Sequence, residues 1–141
     1  MKTISSPHNP YQRLVELPLL HLFGGVTYYG VETIARGWSH WSMAVCGAIC
    51  FAFLYRLNER YPRTPLPLRA LIGALFITST ELIAGCLLNL GMGLAIWDYS
   101  GLPYQFLGQI CLPYSILWFL LCFPTAIVCR SIRRRVFLKA Q

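Results

Sequence analysis

Apolar residues along this chain come in four long runs, and that pattern predicts four membrane-spanning helices. The first run extends from about 17 to 35 and is interrupted by His21 and Glu32. The second covers 41 to 57 with no acidic residue, and the third runs from 70 to 90 with Glu81 in its middle. The fourth, from 110 to 128, contains Pro113 and Pro124, which membrane helices tolerate. Each run is long enough to cross about 30 Å of hydrocarbon at about 1.5 Å per residue. The expected fold is an all-α polytopic membrane protein, a four-transmembrane-helix bundle forming a single membrane domain over residues 1–141. The opening residues Met1 to Pro10 are polar and proline-punctuated. They lack the short apolar core of a cleavable signal, so the first run is expected to stay as a membrane helix.

The segments between runs have their own signatures. Asn58 to Leu68 carries Pro62, Pro65 and Pro67 and is expected to be extended. The stretch from Trp97 to Gly108 is polar and aromatic and is expected to lie flat on the outer surface. There Trp97, Tyr99 and Tyr104, with Trp38 and Trp41 from the first connection, would form a headgroup-level aromatic belt.

Composition and charge sharpen this picture. Only 12% of the residues are charged, against about a quarter in soluble domains, and the mean hydropathy is positive. Of the 12 Lys and Arg residues, Arg36 alone falls between the first and second runs. The other basic residues lie in the two terminal tails (Lys2, Arg13; Arg130, Arg133, Arg134, Arg135, Lys139) and in the middle loop (Arg56, Arg60, Arg63, Arg69). By the positive-inside rule both termini and the middle loop are expected in the cytoplasm, in a multi-pass protein of the inner (plasma) membrane. The net charge of +7 therefore points to anionic lipid headgroups, and no nucleic-acid partner is expected. The six cysteines lie almost wholly in apolar runs and read as small packing residues, with neither a disulfide framework nor metal-ligand spacing.

The candidate chemistry lies in two polar stripes. An ionised side chain at the centre of a membrane helix costs at least about 2.5–3.5 kcal/mol, so Glu81 is expected to face the bundle interior. Ala74, Thr78, Glu81, Gly85 and Asn89 share its helix face. In the first run His21, Gly25, Tyr28, Glu32 and Arg36 recur at the same spacings, and Arg36 is placed to pair with Glu32 one turn earlier. Facing stripes would gather Glu81, Glu32, Thr78, Tyr28 and His21 along a substrate or proton path. The same residues could instead simply fasten helices together through small-residue packing and interhelical hydrogen bonds. Arg36 and Asp98 are expected to form a structural pair joining the two hairpins on the outer face. No metal, cofactor or catalytic residue is indicated, and the chain does not read as an enzyme.

From Glu81 onward the chain resembles a bacterial membrane family of ABC-transporter permeases, the bicarbonate-permease-like type IV proteins. The resemblance rests on Glu81 with Gly85, on Trp97-Asp98-Tyr99-Ser100, on Gly108-Gln109-Ile110-Cys111-Leu112 and on Trp118. Gly30 with Glu32-Thr33 is similar to the family's Gly-x-x-Glu element. It implies a permease subunit working with other membrane subunits or as a homo-oligomer. It also implies a separate ATPase, since this chain has no Gly-x-x-x-x-Gly-Lys-Ser/Thr motif. The two function classes to weigh are thus a small transport-associated membrane protein with carboxyls along a polar path, and a non-transporting scaffold or accessory subunit.

Overall fold

The computed structural model describes residues 10–137, with the side chains of residues 14–136. Lys2, Lys139 and the Arg13 side chain, which entered the charge count, lie outside the described residues, as does most of the opening segment. Four helices are long and apolar enough to cross a membrane. They are α1 (Pro10–Arg36), α2 (Trp41–Arg60), α3 (Leu66–Gly85) and α4 (Leu112–Ile132). α3 runs on into a π-helical turn, Cys86–Gly91, and α4 into another, Arg133–Phe137. A two-stranded antiparallel hairpin, β1 (Gln105–Phe106) with β2 (Ile110–Cys111), lies ahead of α4 and pairs Gln105 with Cys111.

The packing is inside-out relative to a soluble bundle. Leu22, Val26, Ile34, Leu75, Ile83, Leu87, Leu120 and Ile127 are exposed. The residues α3 buries are Arg69, Ala70, Gly73, Ala74, Glu81 and Gly85. Lipid tails are as apolar as leucine, so branched side chains gain nothing by leaving them. Small and polar residues instead let helices approach and bond. α1 and α2 pack closely around Gly24, Gly25 and Gly47; at Gly47 an added Cβ would collide with the Tyr28 side chain and come within 3.1 Å of the Gly24 carbonyl.

Consecutive helices run antiparallel, which gives the bundle two distinct ends. At one end Leu20, Tyr55 and Cys129 form a buried cluster, and the Tyr55 hydroxyl donates to Glu16 Oε1 over 2.7 Å. Arg69 donates to Asn58 Oδ1 (2.7 Å) and to the Thr64 carbonyl (3.0 Å), closing the α2–α3 turn. At the other end Met43, Ile96 and Trp97 form a second buried cluster. The arginines of the middle loop and of the α4 terminus share the first end, and Arg36 sits at the second.

Several sequence expectations are corrected at the borders of these elements. The middle loop is shorter than expected, because α2 runs to Arg60 and α3 starts at Leu66. Pro67 fits the first helical turn, where its missing N–H would have had no partner. Ile110 and Cys111 belong to the β-hairpin, and Pro113 marks the opening turn of α4. α1 extends N-terminal of the expected first run, and Glu16, which lies just ahead of that run, is buried against Tyr55. Part of the segment after α3 turns inward, while residues 98 and 100–107 are exposed. Ile96 and Trp97 fold back under the bundle's end, and the Trp97 indole donates to the Gln109 carbonyl over 3.0 Å. Trp97 is therefore core, whereas Trp38, Trp41 and Tyr104 remain exposed where a belt requires them.

Candidate functional site

Asn89, one turn from the end of the widened helix, sets the position of the returning chain. Its amide oxygen accepts from the Ile96 N–H at 2.7 Å. Its amide nitrogen donates to the Trp97 carbonyl (3.0 Å) and to Gln109 Oε1 (2.8 Å). Gly85 leaves the space that Gln109 fills, since an added Cβ would lie 2.8 Å from the Gln109 Cβ. Gly108 accepts from the Tyr99 N–H at 2.8 Å, and the Ser100 N–H donates to Asp98 Oδ1 over 2.8 Å. That bond holds the exposed Asp98 carboxylate below the usual range. This fixed loop turns Tyr99 back into the bundle.

Glu81 is the point on which the loop and α4 converge. Its carboxyl is buried, with the Tyr99 hydroxyl donating to Oε1 at 3.1 Å and the Trp118 indole N–H donating to Oε2 at 2.9 Å. Burial first, and then the charge of Glu81, push the Tyr99 hydroxyl above the ordinary tyrosine range, so it remains a donor. Among the described residues no Lys, Arg or His comes within ion-pair distance of Glu81. Glu81 lies just past the midpoint of its 26-residue span, Leu66–Gly91, on the loop side.

Glu32 has a different environment. The Arg36 guanidinium donates to its Oε1 and the Ser39 hydroxyl to its Oε2, each at 2.5 Å. The other arm of Arg36 donates to the Ile96 carbonyl at 2.5 Å, and its guanidinium sits 5.1 Å from the Trp38 ring centre. The expected Arg36–Asp98 pair is corrected accordingly. Arg36 does tie α1 to the loop after α3, but through a backbone carbonyl, because its guanidinium is directed at Glu32 and the Ile96 carbonyl while Asp98 accepts from the Ser100 N–H.

Glu32 and Glu81 border one cleft of about 990 Å³ between the α1–α2 and α3–α4 hairpins. Its outer part is lined by Tyr28, Glu32, Glu81, Tyr99, Tyr114 and Trp118, and its deeper part by Phe23, Phe51, Leu54, Leu121, Cys122 and Val128. Thr27 and Val31 on α1 and Leu117 and Leu121 on α4 are exposed along it, so it opens sideways at the depth of the bilayer.

The cleft includes Tyr28 but leaves out two residues expected on the path. His21 Nδ1 is 2.7 Å from the Leu17 carbonyl of its own helix, outside the cleft lining. Thr78 donates to the Ser115 hydroxyl at 3.2 Å, which in turn donates to the Cys111 carbonyl at 3.1 Å; Thr80 lines the cleft in its place. Glu16, Asn89, Gln109 and Tyr114 were not picked out as site residues from sequence. Of these, Asn89 carried a signal as an amide on the Glu81 face, and Gln109 as part of the element at 108–112. All six cysteines are free thiols, and no group of three His, Cys, Asp or Glu residues is placed to hold a metal among the described residues.

Comparison with known proteins gives one family. Residues 43–140 match the family described as "Putative ABC-transporter type IV". The match includes Glu81, the Trp97–Ser100 element, Gly108, Cys111 and Trp118, and it begins after Glu32. No curated protein and no solved structure matches the chain.

Proposed function

The chain belongs to the putative ABC-transporter type IV family, and from that membership we propose that it is the substrate-path subunit of a membrane transport complex. The observation that carries this reading is Glu81. It is a buried carboxyl held only by neutral donors at the head of a cleft, where a carboxyl kept for packing alone would gain most from a basic partner. In this reading Glu81 meets the substrate, Tyr99 and Trp118 orient its two oxygens, and Tyr28 and Glu32 border the entrance. His21 and Thr78 are assigned to helix packing, on their intrahelical and Ser115 contacts.

The complex takes its energy from a separate ATPase docked on the basic end, which faces the cytoplasm of the plasma membrane. Further membrane subunits or copies of this chain complete the path. The test is purification of the native complex with its ATPase and reconstitution into liposomes. Glu81→Gln is expected to lower solute flux at least about tenfold, the scale of a lost charged contact, at unchanged complex yield. The scaffold reading is favoured by one feature, that Glu81 ties the loop to α4. It predicts the converse, unaltered flux per complex for Glu81→Gln, and a lower yield of complex for Trp118→Phe, which breaks that tie.

A further inference from the structure

The outer end of the cleft has a composition that selects for one charge. Four aromatic rings follow one another around Glu81. Tyr28 and Trp118 have centroids 6.1 Å apart, Trp118 and Tyr114 6.3 Å, and Tyr114 stacks on Tyr99 at 4.7 Å. Ring faces are the negative part of an aromatic quadrupole, and a carboxyl among them adds to the same sign. Arg36 is the one Lys or Arg side chain lining the cleft, and its charge is matched by Glu32, so an anion would find no unmatched positive charge here. A cation would supply the countercharge that Glu81 lacks. Each Glu81 oxygen takes one donor from the bundle, and the ring faces beside them suit a cation held by charge and aromatic faces.

Below this head the cleft is apolar and opens toward lipid, so a tail can follow the head in from the side. Its volume, about 990 Å³, lies at the upper end of the roughly 300–1,000 Å³ typical of small-molecule sites. We propose that the cleft binds a single-tailed amphiphile with a quaternary ammonium headgroup, the head seated among Tyr28, Tyr114, Trp118 and Glu81 and the tail lying along Phe23 and Leu121. This assignment names the substrate class for the path proposed above and rests on that reading.

The test uses the full chain in uncharged maltoside micelles, with native mass spectrometry counting bound molecules. The probes are tetradecyltrimethylammonium, tetradecyl sulfate and tailless tetramethylammonium. One tetradecyltrimethylammonium per chain is expected, with the sulfate and the tailless cation much weaker. Glu81→Gln should weaken it about tenfold or more through loss of charge. Tyr114→Leu, which leaves both Glu81 bonds in place, should weaken it about threefold through loss of one ring face. Equal binding of the sulfate, or ammonium binding unchanged by both substitutions, overturns the assignment. No ATPase is needed here, so the two readings fail separately. Loss of ammonium selectivity beside a Glu81-dependent flux removes the ammonium site alone. Selective binding beside a Glu81-independent flux keeps the site and removes its transport role.

Discussion

The Trp118 indole nitrogen donates to Oε2 of Glu81 across 2.9 Å, joining the first third of α4 to the last third of α3. The Tyr99 hydroxyl occupies the other oxygen from a loop beyond the helix end. A carboxyl in this position does two jobs, fastening three segments and presenting charge to the cleft, and substitutions can separate them.

Glu81→Gln keeps the fastening. The amide oxygen can take the Trp118 N–H while the amide nitrogen donates to the Tyr99 hydroxyl oxygen, which accepts as readily as it donates. We expect stability within about 1 kcal/mol of the parent, whereas Trp118→Phe, which strands a buried oxygen, should cost about 1–3 kcal/mol. Unfolding in mixed dodecyl sulfate and maltoside micelles, followed by circular dichroism, measures both. Equal losses for the two variants would contradict this division.

Gly47 and Gly30 make a controlled pair. An added methyl at Gly47 strikes the Tyr28 side chain and presses on the Gly24 backbone, so Gly47→Ala should destabilise the α1–α2 hairpin by about 1–3 kcal/mol. Nothing lies within 4 Å of the same methyl at Gly30, and there the higher helix propensity of alanine should stabilise the chain by about 0.5–1 kcal/mol. The same unfolding assay reads both, and changes of the same sign would rule out the packing account.

The bundle was legible in the sequence because a membrane constrains a chain so strongly. Four apolar runs and eleven basic residues set against Arg36 leave few arrangements. Glu81 stood out because charge inside an apolar run is costly, and Glu32 because Arg36 follows one turn later. What could not be read depends on contacts between distant residues. Glu16 lies beside Arg13 in a segment that looks like a polar border, and its partner Tyr55 is 39 positions away. Trp97 looks like a belt residue until Gln109 and Asn89 supply its buried partners. Helical spacing puts Thr78 and Glu81 on one face, yet α4 sits close enough for Ser115 to take Thr78, and Thr80 borders the cleft.

Asn89 tests the idea that the loop is held rather than merely resting. Asn89→Leu removes the acceptor for the Ile96 N–H and both donors to Trp97 and Gln109. The buried groups left behind cost about 1–3 kcal/mol each, which would raise local opening of residues 92–111 at least about tenfold. Hydrogen exchange resolved by peptide should show faster exchange there and unchanged protection in α1 and α2. Uniform acceleration across all helices would mean that Asn89 supports the whole bundle.

Orientation can be read from which end a polar thiol reagent reaches. The arginines cluster at the end holding the α2–α3 turn and the α4 terminus, and positive residues near span ends are retained on the cytoplasmic side. Gly101, exposed in the loop after α3, and Arg63, exposed in the α2–α3 turn, mark opposite faces. In intact cells a membrane-impermeant maleimide should label Gly101→Cys and leave Arg63→Cys unlabelled until the membrane is permeabilised. The native cysteines give a low background, because Cys111, Cys122 and Cys129 are buried and Cys46 and Cys50 border a cleft at hydrocarbon depth, where a charged reagent does not partition; the half-buried Cys86 is replaced by Ser in both variants. Labelling of both positions in intact cells would show that the chain inserts in two orientations, and labelling of Arg63→Cys alone would place the ATPase-docking surface proposed above on the wrong side of the membrane.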